Sequence, residues 1–189
     1  MYMMQTEQDS VADYAQTVSM RVIAASGLID VISDLTDVFV DTVNNGSPLG
    51  FMPPITRDQS RDYWISLLPE LRAVRRLLIV AMSHGRVVGS AQLALSQRAN
   101  SPHRAEVEKV FVARSARGCG VGTALMRAVE NVARRHGRTL LLLNTRWQEP
   151  AYFWYKILGY SDVGLIPGWT IGPQGERYDH ISMYKSLET

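Results

Sequence analysis

Apolar positions along the chain follow two rhythms. From Leu28 to Thr42, Val31, Ile32, Leu35, Val38 and Phe39 recur at intervals of three and four, which predicts an amphipathic helix stopped by NNGSPLG at residues 44–50. Ahead of it, SMRVIAA at 19–25 reads as a short strand, while residues 1–16 carry no sustained apolar period and are expected to form a loose tail before one domain at 17–189. TRDQ at 56–59 has the capping-box form that starts a second helix, interrupted near Pro69. The period then shortens to two. LLIVAMS (77–83) and RVVGSAQLALS (86–96) flank His84-Gly85 as a predicted hairpin, and AEVEKVFVA (105–113) follows as a further strand. A helix is predicted over 121–136, RTLLLLNT (138–145) reads as a buried strand, and EPAYFWYKILG (149–159) as a short helix capped by Gly159. YSDVGLI (160–166) and ERYDHISMYKS (176–186) are closing strands across a Pro/Gly-rich connection.

Early helices, a meander of antiparallel strands and then strand-helix-strand predict a single α/β (α+β) domain, its mixed, mostly antiparallel sheet flanked by helices. The crossover through helix 121–136 makes AEVEKVFVA and RTLLLLNT parallel neighbours. With 189 residues, 46% hydrophobic and 20% charged, the chain has the composition of an ordinary globular domain and can bury a substantial core. Its longest apolar runs, LLIVAM and LLLL, fall far short of the roughly 20 residues that span a bilayer. The N-terminus is acidic and lacks the cationic start of a secretory signal, and the single cysteine, Cys119, rules out an intramolecular disulfide. A cytoplasmic location without a membrane partner is expected.

A net charge of +2 hides an asymmetry: up to residue 56 the only Lys or Arg is Arg21, whereas 103–138 carries Arg104, Lys109, Arg114, Arg117, Arg127, Arg134, Arg135 and Arg138. Such a split suits the second half to an anionic ligand and the first half to something cationic or neutral, with plain solvated faces as the alternative. The pattern RGCGVG at 117–122 sits just where a helix must begin. A helix N-terminus leaves amides unpartnered and carries the positive end of the macrodipole, and glycines let a phosphate approach the backbone. Glycines at 118, 120 and 122 do not fit the dinucleotide fingerprint, and no Lys-Ser/Thr pair follows as in a P-loop. A tight turn with no ligand is the plain alternative.

RGCGVG after EVEKVFV, with AYFWYKILGY about thirty residues on, resembles the GNAT superfamily of N-acetyltransferases, whose R/Q-x-x-G-x-G/A motif is matched by Arg117, Gly120 and Gly122. The stretch SAQLALSQRANSPHRAEVEKVFVARSARGCGVG looks most like the tabtoxin-resistance acetyltransferases, over about residues 46–187. The resemblance implies acetyl-CoA as acetyl donor. Its pyrophosphate would lie on the amides of Arg117, Gly118, Cys119, Gly120, Val121, Gly122 and Thr123, and its pantetheine arm along Val110, Phe111 and Val112 by strand addition. A small-molecule amine is the implied acceptor. No nucleic acid, membrane or metal partner is expected, and a homodimer is left open.

Acetyl transfer to an amine needs a base, because most alkyl amines are protonated near neutral pH. Glu106 and Glu108, at i and i+2 on one strand, face the same way, and neighbouring like charges favour proton uptake by one of them. The resemblance points to Glu106 as base, with Glu108 as the other candidate; both forming a solvated strand face is the bland alternative. It also implies that Tyr155 protonates the departing thiolate; the competing role of core aromatic fits Tyr152, Phe153 and Trp154 better. Two positions depart from the family. Gln148 stands where many members have a cofactor-binding asparagine, and Asn144 stands where the tabtoxin-resistance type tends to have an aspartate. Both are assigned to the cofactor. Asp41, Phe51 and Glu108 are assigned to the acceptor, with Asp30, Asp34, Asp37 and Asp41 forming an acidic stripe that is either a plain solvent face or an attractor of cationic amines. Cys119 lacks the His-Asp support of an acyl nucleophile, and among His84, His103, His136 and His180 only His180 is placed to approach the site. A non-catalytic acyl-CoA-binding domain and a different phosphate binder are the other readings.

Overall fold

The computed structural model describes residues 18–47 and 49–188, so the predicted tail at 1–16 lies outside the described residues. The first strand, β1 (Ser19–Ile23), leads into helix α1 (Leu28–Asn44), whose apolar stripe Leu28, Val31, Ile32, Leu35, Phe39 is buried. Helix α2 (Arg57–Ser66) starts on the expected capping box: the Gln59 N–H donates to Thr56 Oγ1 at 3.2 Å and the Thr56 N–H to Gln59 Oε1 at 2.9 Å. A short helix, α3 (Leu68–Arg72), carries Pro69 in its first turn, where a missing N–H does no harm.

The sheet then builds by hairpins. Strands β2 (Arg76–Ser83) and β3 (Arg86–Leu95) are joined at His84 and Gly85, both at positive φ as a two-residue turn requires. Strand β4 (Arg104–Val112) returns along β3, and helix α4 (Val121–Arg135) carries the chain over to β5 (Leu140–Arg146). Helix α5 (Pro150–Ile157) precedes the hairpin of β6 (Ser161–Ile171) and β7 (Arg177–Ser186). The result is one seven-stranded sheet in the order β1-β2-β3-β4-β5-β7-β6, antiparallel but for the expected parallel pair β4 and β5.

Each sheet face has its own core. Leu77, Ile79, Ala91, Leu93, Ala105 and Val107 pack against α4 and α5, while Leu78, Val80 and Met82 pack against α1 and α2. Burying each such side chain contributes about 1.5–3 kcal/mol. The second core is closed by Phe39, Phe51, Tyr63, Trp64 and Phe111, whose ring centroids lie 5.1–6.3 Å apart. Phe111 reaches that core through a bulge. The β3–β4 register moves from Gln92↔Glu108 to Ser90↔Phe111, adding one residue to β4 where Lys109 has φ 50°. Val107 and Phe111, four residues apart, therefore enter opposite cores.

One expectation is corrected. Strand β6 does not end at 166 but runs through Pro167 to Ile171, which an edge strand tolerates, with a register shift between Ile166 and Thr170. Three of the four carboxylates of the α1 stripe have cationic neighbours. Asp34 pairs with Arg86 at 2.8 Å and accepts the Val87 N–H, Asp37 pairs with Arg57, and Asp41 lies 3.9 Å from Arg114.

Candidate active site

The glycine turn uses its glycines for two different reasons. Gly118 and Gly120 both have φ 76°, and nothing lies within 4 Å of where a Cβ would sit, so backbone conformation rather than crowding requires glycine. Gly122 has an ordinary φ, but a Cβ there would stand 3.1 Å from Trp154 Cζ2. The first two turn the chain and the third lets α4 pack on α5. Gly120 caps α4 without a side chain, and the first helical bond runs from the Ala124 N–H to the Gly120 C=O. The amides of Val121, Gly122 and Thr123 are left to point out of the helix end. Arg117 Nε donates to the Val112 C=O at 3.1 Å, which pins the guanidinium between the end of β4 and the turn. Cys119 is half-buried, its sulfur 3.6 Å from the Arg117 carbonyl, and no histidine or carboxylate is among its hydrogen-bond partners.

Strands β4 and β5 pair only over Arg104↔Leu140, Ala105↔Leu141 and Glu106↔Leu142, then part. Beyond the fork, Phe111 and Val112 are bonded to Ser90 and Gly89 of β3 on one side, while their other edge carries no strand. Of the main-chain groups of Val110, Phe111 and Val112, only the alternate ones that turn away from β3 face β5, and among these the Val112 C=O already accepts from Arg117 Nε; the rest form an open edge that can accept an extended arm. The side chain of Phe111 is spent on the core.

Glu106 occupies the last paired position before the fork and is exposed. Asn144, two residues past Leu142, donates Nδ2 to Glu106 Oε1 at 3.2 Å and accepts the Ser182 hydroxyl on Oδ1 at 2.6 Å. Both ends of the Asn144 amide are therefore turned to Glu106 and β7. Gln148 is exposed in the turn before α5, with φ 58°.

Glu108 shares the face of Glu106 but not its surroundings. Arg76 Nη1 donates to Glu108 Oε2 at 2.6 Å and to Gln92 Oε1 at 2.8 Å, and Gln92, fully buried, donates Nε2 to the Tyr63 oxygen at 2.8 Å. Burial pushes the Tyr63 phenol up to about 12. Of the two glutamates, one is locked to a guanidinium and the other is held by a single neutral amide. Phe51 stands edge-on to Tyr63 at 5.1 Å, whereas Asp41 is drawn to Arg114, just before the glycine turn, and to Asn45.

Tyr155 is not the aromatic that leaves the core. Tyr152 and Tyr155, three residues apart on one face of α5, are each 8% exposed, and Phe153 is the one that turns out, 54% exposed. Burial raises the Tyr155 phenol above its ordinary value, so it stays protonated at neutral pH. His180 lies on β7 opposite Arg146, two residues from Ser182 and on its face. Its Nε2 is 3.1 Å from Thr170 Oγ1, its Nδ1 is buried without a hydrogen-bond partner among the described residues, and burial with the Arg146 charge holds its pKa below the usual value. Arg76, Gln92, Tyr63 and Ser182 escaped the sequence reading. Only Gln92 left a signal, as a polar residue within an otherwise apolar strand.

This fork in the sheet, with a helix starting on a glycine turn beside it, defines an acyltransferase of the GNAT type. The acetyltransferase (GNAT) family profile matches residues 40–160, and the chain belongs to that family. It is 35% identical to an uncharacterized N-acetyltransferase in the hisH-hisA intergenic region of Azospirillum brasilense, covering 71% of this chain and 90% of that protein. It is also 29% identical to an IAA acetyltransferase of the same organism, over 74% of this chain and 83% of that one. Among solved structures, the ribosomal-protein-alanine N-acetyltransferase of Brucella melitensis superposes with a TM-score of 0.73 at 22% identity, covering 89% of this chain and 99% of that one. An acetyltransferase structure from Salmonella typhimurium with its cofactor acetyl-CoA gives a TM-score of 0.72 at 17% identity, covering 91% and 95%. The chain is an acetyltransferase. No described helix is long and apolar enough to cross a membrane.

Proposed function

We propose that the protein transfers the acetyl group of acetyl-CoA to the amine of a small molecule in the cytoplasm, by direct attack on the thioester, with Glu106 as the base. The observation that carries this reading is Glu106 at the fork of β4 and β5, exposed and held by a neutral amide, while its neighbour Glu108 is tied to Arg76. When bound, the cofactor supplies an activated acetyl thioester. The open amides at the start of α4 and the Arg117 guanidinium suit its pyrophosphate, and the free edge of Val110, Phe111 and Val112 suits its arm. Glu106 accepts the amine proton, directly or through a water, and Asn144 orients the carboxylate from Ser182. Tyr155, kept protonated by burial, is the donor proposed for the departing thiolate. The likeness to the tabtoxin-resistance type supports a small toxin-like or amino-acid-like acceptor over a protein.

Thiol release from acetyl-CoA with a panel of small amines tests the reading. Turnover that requires an amine and falls sharply in Glu106→Gln is expected; amine-independent release, or full activity in that variant, overturns it.

A further inference from the structure

Lys109 is the extra residue of the β4 bulge. In a regular strand the side chain after Glu108 would turn to the opposite face and meet α4. The bulge keeps it on the side of the α1–α2 loop. Its Nζ lies 5.9 Å above the Tyr63 ring and 3.4 Å from the place a Gly50 Cβ would take.

The other cations along this wall have counter-ions: Arg76 has Glu108, Arg57 has Asp37 and Arg114 has Asp41. Among the described residues no carboxylate lies within 4.0 Å of Lys109 Nζ. An ammonium is costly to take out of water without a contacting anion: burial, the larger effect, and Arg76 lower the pKa of this one, while Glu108 and Glu106 raise it only from beyond contact distance. A lysine serving only to keep a surface wet would extend into solvent. This one is held half-buried over the Tyr63 ring and beside Gly50, on the same side of β4 as the exposed Glu106.

We propose that Lys109 is the anion-receiving end of the acceptor cleft, and that the acceptor is an amine that also carries a carboxylate. The nitrogen goes to Glu106 and the acidic group to Lys109, beside the Tyr63 ring on which Phe51 stands edge-on. The open-stripe attraction of a polycationic amine is disfavoured by the same structure, since Asp34, Asp37 and Asp41 are already paired. This inference rests on the acetyl-transfer reading of Glu106.

The test uses amine pairs that differ only in the acidic group: L-phenylalanine against L-phenylalaninamide, and 4-aminobutanoate against 4-aminobutanamide, with phenethylamine and spermidine as amines without an acid. Rates are compared per free amine. At least one acid is expected to exceed its amide by about tenfold in kcat/KM, the effect of one ion pair of about 1.4 kcal/mol. Lys109→Met should erase that preference through KM with kcat nearly kept, Lys109→Arg should retain most of it, and calorimetric affinity for acetyl-CoA should be unchanged in both. Acid and amide turned over equally by the native enzyme, or a preference that survives Lys109→Met, overturns the proposal. If only the amides, phenethylamine or spermidine are acetylated, Lys109 loses its role and acetyl transfer stands; if no amine releases thiol, both readings fall.

Discussion

The two sides of β4 are built from different material. Toward α4, the groups proposed to meet the donor are backbone amides and one arginine, all within residues 110–123 and fixed by Gly118, Gly120 and the Arg117 bond to Val112. Toward α1 and α2, the groups are side chains brought from α2, β2, β3, β4 and β7: Tyr63, Arg76, Gln92, Glu108 and Ser182. A backbone site recognises what every acyl-CoA shares and changes little when side chains are exchanged. A side-chain site can be rewritten one residue at a time. Under the proposed roles, donor binding and acceptor choice are separable, and they meet at Glu106.

The largest effect is expected where the sides meet. Glu106→Gln should lower kcat by roughly 100- to 10,000-fold, the range for a lost general base, while calorimetry finds acetyl-CoA affinity within about twofold of the native value. Equal loss of donor binding would show that the two sides are not separable.

On the donor side, Arg117→Ala removes a charge-assisted contact worth about 1.5–3 kcal/mol, a weakening of acetyl-CoA binding by roughly 10- to 150-fold. Gly120→Val forces a β-branched residue to φ 76° and should act in the same direction through a distorted turn. Neither change should alter the ranking of acceptors in kcat/KM. A changed ranking would mean that the turn also reads the acceptor.

What a sequence can reveal follows the same division. The helix of α1, the capping box at Thr56, the hairpin at His84-Gly85 and the glycine turn are local, each decided by residues within a few positions of one another. The parallel placement of β4 and β5 followed from the single crossover helix between them. Alternation put Glu106 and Glu108 on one face, but nothing near them in sequence separates their fates: Arg76, 32 residues earlier, does. The bulge at Lys109 was equally hidden, because an extra residue is defined only by the partner strand's register. In YFWYKILGY, four consecutive aromatics allow several helix faces, and contact of Tyr155 with Tyr160 and of both tyrosines with the sheet core selected Tyr152 and Tyr155 for burial.

On the acceptor side, Arg76→Met leaves Glu108 without its cation and Gln92 Oε1 without a charged donor. Removing one partner of a fully buried pair costs about 3–5 kcal/mol, and this pair is 18% and 28% exposed, so a loss of roughly 1–3 kcal/mol in urea unfolding is expected. Pairing Arg76→Met with Glu108→Leu should recover much of that loss, since an apolar replacement of both partners leaves no orphaned charge. Acetyl-CoA affinity of the folded single variant should be native-like. A double variant as unstable as the single one would assign the loss to packing of the arginine stem instead of to the stranded carboxylate.

The smallest effect tests whether β7 belongs to the acceptor side. His180 has its pKa lowered by burial first and by Arg146 second, so the folded protein resists a proton that the unfolded chain accepts. Below the unfolded value of about 6.5, the unfolded state therefore binds more protons, and stability falls as pH drops toward the folded pKa of this imidazole. Above about 6.5 both states are neutral at this position and the contribution is flat. His180→Gln keeps a side chain able to meet Thr170 Oγ1 and cannot take up a proton. Its urea midpoint should match the native one at pH 7.5 and fall less steeply between pH 6.5 and 5, by less than about 1 kcal/mol in total. If His180 also borders the acceptor, the variant changes KM for the amine at pH 7.5, where the imidazole is already neutral, with acetyl-CoA affinity kept. An unchanged KM confines His180 to the packing of the β6–β7 hairpin and narrows the acceptor wall on that strand to Ser182, which reaches Glu106 through Asn144.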